Sequence, residues 1–173
     1  MVKVLRHNPE LAHIQLDKNG WANVDELIYG IQTYLKKDIN FALLVAVVET
    51  DKKRRFRFGD DRSKIRASQG HTVSVDLEMP EAVPPEILYH GTAEKYLPSI
   101  MKTGINKKSR NFVHLTAFIA TAFESGKRHG TPVVLVVDGA AMRADGYKFY
   151  LSENGVWQSL DIPRKYIKDV RYS

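Results

Sequence analysis

Asp76-Leu-Glu-Met-Pro-Glu-Ala-Val-Pro-Pro-Glu86 gathers three prolines and four acidic residues in one short stretch. Proline has no amide hydrogen to donate and holds φ near a single value, so this stretch suits neither a helix interior nor a central strand. It reads as a linker. A chain of 173 residues accommodates one ordinary domain or two small ones, and the prolines divide this one into an N-terminal lobe, residues 1–78, and a C-terminal lobe, residues 79–173.

In the N-terminal lobe Asn23 stands three residues before Glu26, which suits a capped first turn, and Val24, Leu27, Ile28, Ile31, Tyr34 and Leu35 then recur at helical spacing. A second helix is expected from Asn40, and Phe41, Leu44, Val45, Val47 and Val48 make it apolar enough to be largely buried. The stretch Phe56-Arg-Phe-Gly-Asp-Asp-Arg-Ser-Lys-Ile-Arg-Ala67 alternates on both sides of a Gly/Asp turn, the pattern of a β-hairpin. Short helices followed by a basic hairpin are the ingredients of a winged helix, and the same ingredients also build purely structural modules.

The C-terminal lobe changes character. Ile87-Leu-Tyr-His90, Phe112-Val-His-Leu115 and Pro132-Val-Val-Leu-Val-Val-Asp138 read as strands, and Lys148–Ser159 as a hairpin turning at Asn154-Gly155. One short helix is expected over Tyr96–Lys102, stopping at Gly104, and another from Thr116 as cap to the neighbourhood of His129-Gly130. This is a β-rich α+β lobe without the strand and glycine loop of a Rossmann or P-loop domain.

Composition narrows the chemistry. The chain has no cysteine, which removes disulfides, thiolate metal sites and cysteine nucleophiles, and a hydrophobic share of 43% is enough to build cores. No apolar run approaches the length of a membrane span and no leader is visible, so a soluble, cytoplasmic monomer is expected. Lys52–Arg66 holds eight Lys/Arg and two Asp, a balance of +6 that equals the net charge of the whole chain. A positive field this concentrated suits a polyanion such as nucleic acid; a solvated edge strand protected by charge accounts for it as well.

The six histidines, His7, His13, His71, His90, His114 and His129, include no helical i,i+4 pair and no carboxylate at ligand spacing, so no metal is expected. Leu88-Tyr-His-Gly-Thr92 ends a strand at a glycine, where a ligand can approach the backbone closely. Another feature is placed oddly: Leu5-Arg-His-Asn-Pro-Glu10 sets an arginine, a histidine and a proline where most chains fray.

Taken in order, Leu5–Glu10, Asp17–Leu27 (DKNGWANVDEL), Asp51–Phe58 (DKKRRFRF), Ile65–His71 (IRASQGH), Leu88–Thr92, Val113–Thr116 (VHLT), Lys127–Asp138 (KRHGTPVVLVVD) and Phe149–Trp157 (FYLSENGVW) resemble the NAD-dependent RNA 2′-phosphotransferase family. The resemblance covers nearly the whole chain. It implies an N-terminal winged-helix RNA lobe followed by a β-rich lobe of the ADP-ribosyltransferase type. It also implies that an internal 2′-phosphate of spliced, tRNA-like RNA is transferred to NAD, giving 2′-hydroxyl RNA, nicotinamide and ADP-ribose 1″,2″-cyclic phosphate. By the same resemblance the catalytic residues are Arg6, His7, Arg66 and Arg128. The NAD site gathers His90, Gly91, Thr92, Arg110, His114 and Thr116, while Lys52, Lys53, Arg54, Arg55 and Arg57 supply contacts to the RNA backbone. The chemistry suits these types: arginine grips phosphate with a planar fork that stays charged, and histidine is the natural acid for a leaving oxygen. No glutamate stands where protein-modifying ADP-ribosyltransferases carry one. Two other readings stay open: ADP-ribose transfer onto nucleic-acid terminal phosphates, and a non-catalytic nucleic-acid-binding module.

Overall fold

The computed structural model describes all 173 residues, which divide into two compact units, Met1–Glu78 and Met79–Ser173. The secondary structure is mixed, with short helices and three small antiparallel sheets, consistent with an α+β chain. No helix is long and apolar enough to cross a membrane.

The first unit opens with helix α1 (Val2–Arg6), followed by a 3-10 turn (Pro9–Ala12) and strand β1 (Ala22–Asn23). Helix α2 (Val24–Tyr34) begins where expected: the Asn23 side chain accepts from the Glu26 amide at 3.0 Å. The N-terminus is held because α2 lets it come close. A Cβ on Gly30 would stand 2.0 Å from the Ala12 carbonyl oxygen, so only glycine allows this contact. Val4 and Leu5 then bury themselves beside Leu27, Leu44 and Ile65 in one core. His13 stacks on Tyr34 and serves as a packing residue.

Helix α3 (Phe41–Thr50) is capped by Asn40, whose side chain accepts from the Leu43 amide at 2.8 Å. Its expected burial is wrong. Only Leu44 is buried, while Phe41 and Val47 are 45% and 37% exposed. A helix that is apolar on every side needs cover on every side, and this small unit covers one face. The hairpin forms as expected from β2 (Phe56–Phe58) and β3 (Lys64–Ala67), with Arg57 opposite Arg66, and β1 joins the outer edge of β3.

In the second unit β4 (Ile87–Ala93) pairs with β6 (Pro132–Asp138), which pairs with β9 (Ile167–Tyr172). A second sheet has the order β5 (Val113–Leu115), β8 (Trp157–Ser159), β7 (Tyr150–Leu151), with the hairpin turning through Gly155. Leu88, Leu135, Met142, Phe149 and Ile162 form the centre of its core. Helix α4 (Leu97–Thr103) stops at Gly104, φ +84°. The next helix, α5, runs Ile119–Gly126 and continues as a 3-10 turn, Lys127–His129. Thr116 is therefore not its cap: the Thr116 hydroxyl accepts from the Phe118 amide at 3.1 Å, bracing the turn before the helix. Helix α6 (Gly139–Ala144) and strand β9 lie beyond what the periodicity announced.

Candidate active site

Arg6 ends α1 and His7 caps it. The Thr72 amide donates to the Arg6 carbonyl at 2.9 Å, and His7 Nδ1 lies 3.1 Å from the Thr72 hydroxyl, so the chain after the hairpin fastens the pair from behind. Arg6 is 9% exposed and Arg66, in β3, is 6% exposed. A guanidinium this deep loses hydration and needs dipoles or anions to replace it. For Arg66 the Asn19 carbonyl accepts at 3.2 Å, and the guanidinium lies 4.5 Å from the centre of the Trp21 ring. Arg57, directly opposite on β2, uses the same ring at 4.9 Å. Like charges opposite each other weaken a hairpin, and the indole quadrupole offsets that repulsion.

His71 is 2% exposed and its Nε2 has no hydrogen-bond partner. Burial, followed by the charges of Arg6, His7 and Arg66, pushes its pKa down to about 4, so the imidazole is neutral at physiological pH. Arg6, His7, Arg66 and His71 thus occupy one neighbourhood. His71 and Trp21 were not assigned a role from the sequence, although both stand inside quoted motifs; nothing in their spacing announces that they flank the arginines. Of the basic run, Lys52, Lys53, Arg54 and Arg57 are exposed, whereas Arg55 pairs with Asp51 at 3.0 Å and braces its own turn.

In the second unit β4 carries His90, Gly91 and Thr92, and the end of β5 carries His114 and Thr116. His90 donates from Nδ1 to the His114 carbonyl at 2.9 Å, and burial holds its pKa below the usual histidine range. Arg110 donates to His114 Nδ1 at 2.9 Å, which makes that nitrogen the acceptor. The backbones of Tyr89 and Thr116 exchange hydrogen bonds of 2.8 and 3.0 Å. His90, Arg110 and His114 are therefore linked directly, Thr116 is tied to β4 through Tyr89, and Gly91 and buried Thr92 follow His90 along the same strand. Gly91 has a reason other than ligand approach: a Cβ there would stand 1.7 Å from the Ala122 carbonyl oxygen, so its bareness seats α5 against β4. That seating places the exposed Arg128, on the turn after α5, near Arg110, whose pKa is lowered first by burial and then by the Arg128 charge.

A cavity of about 500 Å³ lies elsewhere in this unit, lined in part by Glu81, Glu86, Arg143, Tyr147 and Lys148, and holds none of the expected residues. No group of three or more His, Asp or Glu side chains is placed to share a metal ion.

The model of the family described as "RNA 2'-phosphotransferase, Tpt1 / KptA family" matches residues 1–160. A probable RNA 2′-phosphotransferase of Fusobacterium nucleatum is 51% identical over 166 residues, covering 95% of this chain and 92% of that protein. Those of Flavobacterium johnsoniae and Nostoc punctiforme are 49% and 48% identical, covering 95% and 97% of this chain and 90% and 92% of their own lengths.

Proposed function

The chain belongs to the RNA 2′-phosphotransferase, Tpt1 / KptA family, and from that premise we propose that it removes an internal 2′-phosphate from spliced RNA with NAD as acceptor. A phosphate oxygen attacks the nicotinamide-bearing carbon of NAD, a C–O bond forms, the C–N bond breaks and nicotinamide leaves neutral. The adjacent ribose hydroxyl then attacks phosphorus, the bond to the RNA oxygen breaks, and that oxygen takes a proton. RNA with a 2′-hydroxyl and ADP-ribose 1″,2″-cyclic phosphate result.

The first unit is read as a winged-helix RNA lobe and the second as an NAD lobe of the ADP-ribosyltransferase type. The phosphate is already anionic and the leaving group already cationic, so the first step needs orientation rather than a base. Arg6, Arg66 and Arg128 are assigned to the phosphate oxygens, and His7 to the proton that the departing RNA oxygen takes. On the NAD side Arg110 suits the pyrophosphate, for it is cationic and has no carboxylate partner. Both His90 Nδ1 and His114 Nδ1 are committed within the protein, which fixes both rings beside the place proposed for NAD. Lys52, Lys53, Arg54 and Arg57 are assigned to sequence-independent attraction of RNA backbone, with Arg55 holding their turn.

The observation that carries this reading is the N-terminal Arg6–His7 pair. Arg6 is buried and His7 half-buried beside the core residues Val4 and Leu5, and Thr72 fastens both, so a cation and an imidazole are held in fixed positions. The test is incubation with NAD and a short RNA bearing one internal 2′-phosphate, following nicotinamide, the RNA phosphate and the cyclic phosphate together. All three changing in step supports the reading. Nicotinamide with ADP-ribosylated RNA that persists points instead to transfer that stops after the first step; bound RNA with no nicotinamide released points to a binding module.

A further inference from the structure

Charge is unevenly balanced in the second unit. Lys127, Lys148, Lys165, Lys168 and Arg171 each lie within ion-pair distance of a carboxylate. Among the cations of this unit that have none, Lys95, Lys108, Arg110 and Arg128 are gathered. The Lys95 and Lys108 ammonium groups lie 5.1 and 5.0 Å from the centre of the same ring, that of Tyr96. Lys95 follows β4 in the 3-10 turn Glu94–Tyr96, and Lys108 comes from the loop that also carries Arg110. The Lys95 Cε stands 4.0 Å from where a Cβ on Gly130 would be, beside the turn that carries Arg128. His129 senses all four: after burial, the charges of Arg128, Arg110, Lys95 and Lys108 hold its pKa below the usual range.

Cations collected this way repel each other, and one phenol ring offsets only part of the cost. An anion among them removes the rest. Both ammonium groups lie about the Tyr96 ring, so what this place offers a ligand is charge before it is aromatic surface, and charge of this sign calls for phosphate. Ammonium groups on flexible, exposed stems suit a chain of phosphates with no fixed geometry, whereas a single pyrophosphate is better held by the arginine forks. We propose that Lys95 and Lys108, seated about Tyr96, form a phosphodiester subsite of the second unit that takes RNA backbone next to the 2′-phosphorylated nucleotide. The identity of the RNA rests on the phosphotransferase reading; the existence of the subsite does not.

The test compares the full chain with Lys95→Ala/Lys108→Ala and with Lys102→Ala/Arg143→Ala, which removes two exposed cations at other places in the same unit. Binding of a fluorescent RNA bearing one 2′-phosphate is followed by anisotropy across a salt series, and KM for NAD is measured alongside. The Lys95/Lys108 variant is expected to bind RNA about tenfold more weakly, with the slope of log Kd against log salt smaller by about 1.4, two single-strand phosphates at about 0.7 each. Its KM for NAD, and the RNA affinity of the control variant, stay within about twofold of wild type. An unchanged RNA affinity, an equal loss in the control, or a rise in KM for NAD in place of the RNA loss overturns the subsite. If wild type binds RNA yet releases no nicotinamide, the phosphotransferase reading fails alone, and the binding comparison still decides the subsite.

Discussion

The two cationic groups of this molecule are built in opposite ways. In the first unit Arg6 and Arg66 are almost fully buried, Arg66 is laid on Trp21, and a neutral His71 stands in their field. In the second, Lys95, Lys108, Arg110 and Arg128 are exposed and have no acidic partners. Buried guanidiniums lose their freedom in advance, which suits orienting a phosphate; Lys95 and Lys108 on exposed stems keep theirs, which suits attracting one. The difference teaches that positioning and recruitment of the same chemical group call for different burial.

Predictions that break or sharpen this contrast begin with the scaffold. Gly91→Ala forces a methyl group against the Ala122 carbonyl, so α5 must move and Arg128 with it. It is expected to destabilise the second unit by about 3 kcal/mol or more, read as a fall in thermal midpoint and in soluble yield. A variant with wild-type stability would mean that α5 is not seated there. Arg128→Ala is expected to reduce turnover about 100-fold, near 2.7 kcal/mol of barrier, with the melting temperature unmoved, since this exposed side chain supports no core. Wild-type rates would leave Arg128 with recruitment alone.

His71 probes the buried group through pH. Its ordinary value is 6.5 and its folded value about 4, so between these the unfolded chain binds more protons. The stability tied to its neutral form is present above pH 6.5 and is lost as pH falls toward 4, about 2–3 kcal/mol by pH 4.5. Urea unfolding of His71→Gln should show an acid limb flatter by that amount; parallel limbs would mean that the ring is not held neutral. The smallest effect belongs to Lys127→Ala. Lys127 adjoins Arg128 in sequence but is paired with Glu124 on the surface, so RNA affinity and stability should change by no more than about 0.5 kcal/mol. A loss matching that of the Lys95/Lys108 variant would erase the distinction between paired and unpaired cations.

Much of the local structure was legible from residues. Asn23 and Asn40 announced their helices because a short side-chain oxygen can satisfy orphan amides at only one end, and the period-two run around the Gly/Asp turn announced the hairpin. Helix α3 was misjudged in burial because hydropathy says what a helix would cover if it could, not what the fold has available. Thr116 was misplaced by two residues because a hydroxyl serves a turn as readily as a helix start. At the site, the arginines and histidines came from motif order, while Trp21, His71, Lys95 and Lys108 did not.

The sequence by itself determined where helices and the hairpin begin, that no cysteine chemistry is possible, and, through its motifs, the family. Local propensity and order along the chain suffice for these. Tertiary structure alone decided which arginines are buried, that Gly91 serves a helix, and that two lysines thirteen positions apart share one tyrosine ring. Burial and charge fields depend on distances through space, and those exist only after the chain has closed on itself.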